Sequence, residues 1–266
     1  MLKFPEIQPH ILKLGFLEIR WYGLLYIVSF FIGFFFVKKN FAYRGIKISK
    51  KDYEDLLFYI MMGVVLGGRM GYILFYNLGY YFSHPLHVFY VWQGGMSFHG
   101  GALGAIIIAY FFCRKKGFRF LQIADPVMPF IAIGLGLGRL GNFINAELWG
   151  RVTTLPWGMV FPNSDGLPRH PSQLYELFLE GIVLTIISQI MVMKKVKEGL
   201  VFWNFLGLYG IFRFIVEFFR EPDEHLGFLF LGLTMGQILS SVMIISALIF
   251  IGIISGSGKD ENLSGS

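Results

Sequence analysis

The chain has 266 residues, of which 55% are hydrophobic and only 15% charged, with a mean hydropathy of +0.60. A soluble domain carries about a quarter charged residues, so charge is what is missing. With 30 Phe, 13 Tyr and 5 Trp, the composition excludes disorder, a disulfide scaffold and the usual soluble, basic nucleic-acid binder. The single cysteine, Cys113, excludes an internal disulfide and a cysteine-based metal site. This is the composition of an all-α polytopic membrane protein.

About 20 apolar residues are needed to cross the hydrocarbon as a helix. Seven stretches qualify: Ile19–Val37, Leu56–Tyr76, Phe98–Cys113, Pro126–Ile144, Leu174–Met193, Leu200–Phe219 and Gly232–Ile254. Asp125-Pro126 reads as an N-cap followed by proline at the first helical position. No removable signal peptide is expected in the first 18 residues. The loops after spans 1, 3 and 5 hold 13 Lys and Arg, from Lys38 to Lys197; those after spans 2, 4 and 6 hold 3: Arg151, Arg169 and Arg220. The positive-inside rule then places the N-terminus outside and the C-terminus in the cytoplasm. Residues 1–254 are expected to form one seven-helix transmembrane domain, with 145–173 inserted as a small folded extracytoplasmic cap. Residues 255–266, rich in Gly, Ser and charge, read as a disordered tail.

Arginine at mid-bilayer costs about 2.5–3.5 kcal/mol, so Arg69, Arg139 and Arg213, all within spans, are functional candidates. With the orientation above, all three lie in the outer halves of their helices. Tyr22, His99, Tyr175 and Glu176 sit near outer helix starts, Glu180 one turn deeper, and Glu217 near the outer end of span 6. The polar groups of six helices converge on the outer leaflet. A transporter places such groups near the midplane with access from both sides. A one-sided cluster fits better an enzyme or receptor acting on an anion, and a phosphate diester headgroup matches the guanidinium fork.

Gly136-Leu137-Gly138-Arg139-Leu140-Gly141 matches G-x-G-x-x-G letter for letter, but no strand precedes it. Glycines at this spacing, as at Gly134/Gly138, Gly67/Gly71 and Gly100/Gly104, serve close helix packing instead. Arg139 and Asn142 share a helical face, followed by Asn145, Glu147 and Arg151. Arg213, Glu217 and Arg220 put plus, minus, plus on another face, and two arginines to one glutamate leave a positive surplus. The structural alternative for Arg139 is a buried ion pair tying its helix to a neighbour, for Arg213 a self-satisfied pair with Glu217 that lets the helix insert, and for Arg69 structural pairing. His99 lies among four glycines at the entry to span 3, where it serves either as a base or as a hydrogen-bonded interfacial group. His170-Pro171-Ser172-Gln173-Leu174-Tyr175-Glu176 leads into span 5, with Ser172 as a candidate cap and Tyr175 as an interface anchor. His84 and His87 lack a third ligand, so no metal is expected. Cys113 reads as an inert core thiol, and the absence of G-x-S-x-G argues against a serine hydrolase.

Gly94–Gly101 (GGMSFHGG), Gly138–Arg151 (GRLGNFINAELWGR), His170–Glu176 (HPSQLYE) and Tyr209–Asp223 (YGIFRFIVEFFREPD), with Arg20-Trp21-Tyr22-Gly23, together resemble the bacterial prolipoprotein diacylglyceryl transferase family. The resemblance spans nearly the whole chain; Arg20 stands where some members carry histidine. It implies a multi-pass enzyme of the bacterial inner membrane with its site facing the periplasm. Its partners would be phosphatidylglycerol, as a membrane lipid, and preprolipoprotein signal peptides bearing a lipobox cysteine, with no nucleic acid. The cysteine thiol would take the diacylglyceryl group as a thioether while glycerol-1-phosphate leaves, without metal or organic cofactor. By position the resemblance assigns His99, Arg139 and Arg213 as essential, supported by Tyr22, Asn142, Glu147, Gly150, Glu217 and Arg220. Arg69, Asn145, His170 and Tyr175 complete the expected substrate-binding set. His99 is the candidate base, and Glu147 and Glu217 are expected to orient the arginines.

Overall fold

The computed structural model describes residues 2–14, 17–90, 94–221 and 232–256. The tail beyond 256, and Pro222-Asp223 of the last quoted segment, lie outside the described residues. In order come β1 (Leu2–Lys3), β2 (His10–Leu14), β3 (Leu17–Arg20), α1 (Trp21–Tyr43), α2 (Lys50–Tyr76), α3 (Leu78–Ser83), α4 (Phe98–Lys116) and α5 (Phe120–Ala124). Then follow α6 (Met128–Ile144), β4 (Met159–Val160), α7 (Ser172–Glu176), a π-helical stretch (Leu177–Val183), α8 (Leu184–Met193), α9 (Leu200–Val216) and α10 (Met235–Gly256).

A helix stands at each of the seven expected spans. Five are long and apolar enough to cross a membrane: Trp21–Tyr43, Lys50–Tyr76, Phe120–Ile144, Ser172–Met193 and Met235–Gly256. α9 is apolar but has only 17 residues, because its ladder ends at Val216, three short of the expected Phe219. The first span begins later than expected, since Ile19 and Arg20 belong to β3, which pairs antiparallel with β2. Short strands therefore qualify the all-helical expectation; β1 also pairs, in parallel, with β4. Exposed side chains such as Ile27, Phe31 and Phe35 on α1 and Val242, Leu248 and Ile253 on α10 form apolar faces that water would not tolerate at this extent.

The described chain forms two compact units, Met1–Arg44 with Ala124–Ser266, and Gly45–Ile123. In the first, α6 packs against α1, against the α7–π–α8 run and against α9, with α10 along α9. α6 and the π-helical stretch cross closely at Gly136, where an added Cβ would lie 2.8 Å from the Cα of Gly181. Gly134 and Gly138, the pair expected to pack tightly, have only ordinary contacts with Ser29 and the Tyr26 hydroxyl. α1 and α8 are joined by a reciprocal amide pair, Asn40–Gln189, at 3.0 and 3.1 Å. Asp125 is not the cap of its own helix. Its buried carboxylate accepts from the backbone N–H groups of Gly199 (2.8 Å) and Phe202 (2.9 Å), so it caps α9 across the unit.

Segment 145–171 folds back on itself. Phe143, Ala146, Met159 and Phe161 form a small core covered by Phe4, Trp149 and Leu174. A Val152–Arg169 bridge closes the segment on itself, and a Gly150–Arg220 bridge ties it to the chain leaving α9.

In the second unit α2 runs along α4. Gly63, Gly67 and Gly71 of α2 face Gly100 and Gly104 of α4; a Cβ on Gly71 would meet the Gly100 Cα at 2.8 Å. That is the close packing expected of the Gly67/Gly71 and Gly100/Gly104 faces. Ser97 caps α4 by accepting from the Gly100 N–H at 3.3 Å, and Gly117, in the left-handed region, ends it. Cys113 is buried in this helix pair.

Candidate active site

Three arginines and three glutamates of the first unit interlock. Arg139 projects from α6, Arg213 from α9, and Glu217 and Arg220 from the chain just past α9. Glu176 closes α7, and Glu180 lies in the middle of the π-helical stretch. Glu176 bridges the two helices: one oxygen accepts from Arg213 Nη1, and the other lies 3.4 Å from Arg139 Nε. Glu180 Oε2 lies 3.7 Å from Arg139 Nη2. Arg213 also donates to Glu217, which pairs with Arg220 at 3.7 Å and accepts from the Thr234 hydroxyl at 2.8 Å. Thr234 in turn caps α10 by accepting from the Gln237 N–H at 3.2 Å.

The carboxylates of Glu176 and Glu180 are wholly buried, whereas Arg139 keeps 18% and Arg213 12% of its side chain exposed. Arg139 is held only by ion pairs longer than hydrogen bonds; among the described residues no hydrogen bond consumes its N–H groups. Both structural alternatives raised for Arg139 and Arg213 thus occur: Arg213 donates Nη1 to Glu176 and Nη2 to Glu217, whereas Arg139 is held by ion pairs alone. The expected surplus of positive charge is corrected, because Glu176 and Glu180 bring the directly paired set to three against three.

The other candidates in this unit surround that cluster or the segment above it. The Tyr22 ring lies against Gly141 of α6, where a Cβ would meet its Cε2 at 3.3 Å, and its hydroxyl is 3.1 Å from that of Tyr26. The side-chain amides of Asn142 and Asn145 both donate to Glu147, at 2.8 and 3.1 Å. Glu147 therefore orders this turn instead of orienting an arginine, the role expected of it. Its neighbours Ala146 and Leu148 both adopt positive φ, at 53° and 57°. Strain of this kind is retained where surrounding contacts over-determine it. Here the Gln173 amide donates to the Glu147 carbonyl at 2.6 Å and the Ser172 hydroxyl to that of Leu148 at 3.1 Å. Ser172 thus ties the turn down and is not the cap of its own helix.

Gly150 is buried against the Phe219 carbonyl and His170, and donates to the His170 carbonyl at 2.8 Å. Arg151 donates to the carbonyls of Arg220 (2.8 Å) and Glu217 (3.3 Å), fastening the chain that carries the last two site charges. Tyr175 accepts from Trp157 Nε1 at 2.8 Å and is 3.1 Å from His170 Nδ1. Burial holds the His170 imidazole below the usual histidine range, so it serves this network as a neutral ring.

Arg69 and His99 belong to the second unit. Arg69 is buried and donates to the carbonyls of His87, Val88, Gly94 and Gly95, pinning the chain between α3 and α4. Its guanidinium also lies over the Tyr81 ring at 5.2 Å, and among the described residues no carboxylate pairs with it. His99 is exposed in the first turn of α4, with its ring edge-to-face against Phe98 at 5.7 Å. Among the described residues no three His, Cys, Asp or Glu side chains converge as metal ligands.

A family model described as prolipoprotein diacylglyceryl transferase matches residues 9–253. The chain is 53% identical over 247 residues to the phosphatidylglycerol–prolipoprotein diacylglyceryl transferase of Geobacter sulfurreducens, covering 93% of this chain and 95% of that protein. It is 53% identical over 254 residues to the protein of the same name from Bordetella avium, covering 94% and 95%. For that of Francisella tularensis subsp. novicida the figure is 48% over 264 residues, 98% of each.

Proposed function

Since the chain belongs to the prolipoprotein diacylglyceryl transferase family, we propose that it moves the diacylglyceryl group of phosphatidylglycerol onto the lipobox cysteine of preprolipoproteins, the first step of lipoprotein maturation. The observation that carries this reading is the arginine pair Arg139 and Arg213, bridged by buried Glu176 with guanidinium surface left over.

The thiol sulfur attacks the glyceryl carbon that bears the phosphate. An S–C bond forms, the C–O bond breaks, and its electron pair leaves on the phosphate oxygen, turning a monoanionic diester into a dianionic monoester. Arg139 and Arg213 hold the diester and bind more tightly as the second charge grows, which lowers the barrier rather than merely strengthening binding. The thiol, with an ordinary value near 8.5, must be deprotonated to attack, and His99 is the base. Tyr22, Asn142, Asn145, Glu147, Gly150, His170, Tyr175, Glu217 and Arg220 shape the surrounding site, and Arg69 fixes the chain that leads into α4, which carries His99.

The seven helices all span the inner membrane, with the N-terminus outside. The 13-to-3 distribution of basic loop residues supports that orientation. It turns the arginine cluster and the 145–173 cap toward the periplasm and the outer leaflet, and leaves the tail after 254 in the cytoplasm.

The test mixes purified protein with phosphatidylglycerol and a synthetic lipobox peptide and weighs the peptide by mass spectrometry. A diacylglyceryl mass increase that vanishes with Cys→Ser in the peptide is expected. Lipid uptake or flipping without a covalent product would make the chain a transporter instead. In the same assay His99→Gln should lower turnover about 10²–10⁴-fold, the range of a general base, while lipid binding stays within about twofold. Equal loss of both would make His99 structural.

A further inference from the structure

Six charged side chains in direct ion-pair contact, Arg139, Arg213, Arg220, Glu176, Glu180 and Glu217, balance each other when all are ionised. Burying net charge in a site of low dielectric is expensive. An arriving phosphodiester brings one negative charge, so a set of ion pairs that is neutral among the described residues needs a compensating positive charge or a proton.

The three carboxylates differ in their capacity to take one. Glu217 accepts from Arg213 and from the Thr234 hydroxyl. Glu176 accepts from Arg213 on one oxygen and faces Arg139 with the other. Glu180 is wholly buried, neither of its oxygens has a hydrogen-bond partner among the described residues, and its one ion pair is 3.7 Å long. The charged and titratable groups facing it are Arg139 from α6, Arg213 and Tyr209 from α9, Arg220 beyond α9, and Glu176 on its own segment. A phosphate drawn onto Arg139 competes for the one guanidinium that, among the described residues, pairs directly with Glu180.

We propose that Glu180 is the proton-holding residue of the site, ionised and paired with Arg139 in the lipid-free protein and protonated once an anionic phosphodiester occupies the arginine pair. The proton comes from solvent, the carboxyl O–H is the only bond formed, and the cluster, with the phosphodiester when bound, stays neutral in both states. Glu180 is thus a positioning residue: it anchors Arg139 in the empty site and releases it to the lipid. The π-helical stretch 177–183 and the close Gly136–Gly181 crossing set its carboxylate opposite Arg139, one turn from Gly136. This rests on the proposed function in taking the phosphodiester of phosphatidylglycerol as the ligand.

The experiment is isothermal titration of the purified full chain in detergent with short-chain phosphatidylglycerol, in buffers of different ionisation enthalpy, from pH 6 to 8.5. The wild type should take up close to one proton per lipid, and its affinity should weaken by up to about tenfold per pH unit where the proton is taken up. Glu180→Gln, which mimics the protonated form, should fold, bind with affinity independent of pH, and take up none. Glu176→Gln should still take up the proton but bind more weakly, because it loses the bridge between the arginines. Wild-type binding without proton uptake, uptake undiminished in Glu180→Gln, or a Glu180→Gln protein that fails to fold or to bind would each overturn the inference. The mass assay separates the two readings: normal transfer without proton uptake sinks the inference alone, whereas a wild type that neither binds the lipid nor transfers it sinks both.

Discussion

Arg213→Ala should abolish diacylglyceryl transfer, by more than about 10³-fold, the scale of losing a preorganised charge at a developing anion. It should also destabilise the first unit by about 3–5 kcal/mol, the range for leaving buried charges unpaired. Among the described residues Arg213 is the only one that reaches both Glu176 and Glu217, and both carboxylates are buried. Without it, Glu176 keeps only Arg139 at 3.4 Å, and Glu217 keeps Arg220 at 3.7 Å and the Thr234 hydroxyl. Arg213→Lys cannot restore both contacts, since one ammonium on a flexible stem does not point a planar fork at two carboxylates. It should unfold at lower denaturant than the wild type and remain inactive. Arg139→Lys offers the contrast. Its pairs are long and not hydrogen-bonded, so the fold should be nearly unaffected while activity falls about 10²-fold or more. The readouts are chemical unfolding in detergent and the peptide mass assay. An Arg213→Ala protein as stable as the wild type would remove the argument that its two carboxylates are ionised, and near-normal turnover in Arg139→Lys would remove Arg139 from the phosphate site.

The contrast between those two arginines was only half legible in the sequence. Length and hydropathy locate helices at every expected span, because a lipid-crossing helix must be apolar for about 20 residues and few other structures need that. The cost of burying charge singles out Arg139 and Arg213 for the same reason. The same argument applies to Glu176 and Glu180, four residues apart in an apolar span, yet the sequence reading placed both in the outer polar cluster without assigning either a catalytic or substrate-binding role. What it lacked was the partner: Arg213 lies 37 residues from Glu176, and nothing in local spacing pairs them. Asp125 is similar, since a carboxylate before proline reads as a local cap and its true partners, Gly199 and Phe202, come more than 70 residues later. The π-helical stretch around Glu180 has no sequence signature either. Strands β1 and β4 have two residues each, too short for alternation to register.

Gly150→Ala should cost at least about 10²-fold in transfer and about 1–3 kcal/mol in stability, the usual range for forcing extra volume into a packed site. The glycine is needed for space, not for an unusual backbone angle: it does not appear among the glycines with positive φ. A methyl group there would collide with the Phe219 carbonyl and approach His170 Cβ to 2.7 Å and its carbonyl to 2.9 Å. Two of those atoms are backbone, which cannot swing aside as a side-chain tip would. Relief requires the 145–171 segment to lift from the chain beyond α9, breaking the Gly150–His170 hydrogen bond and the Arg151 contacts to the Glu217 and Arg220 carbonyls. The Glu217 and Arg220 side chains then lose their placement against Arg213, so the damage reaches the phosphate site through backbone. Gly252→Ala is the matched control. A Cβ at that α10 position meets nothing within 4 Å, and alanine is the better helix former by about 1 kcal/mol, so stability should hold or rise with transfer unchanged. A fully active Gly150→Ala protein would show that the segment and α9 need not be in contact for transfer, and that the arginine cluster is positioned by the helices alone.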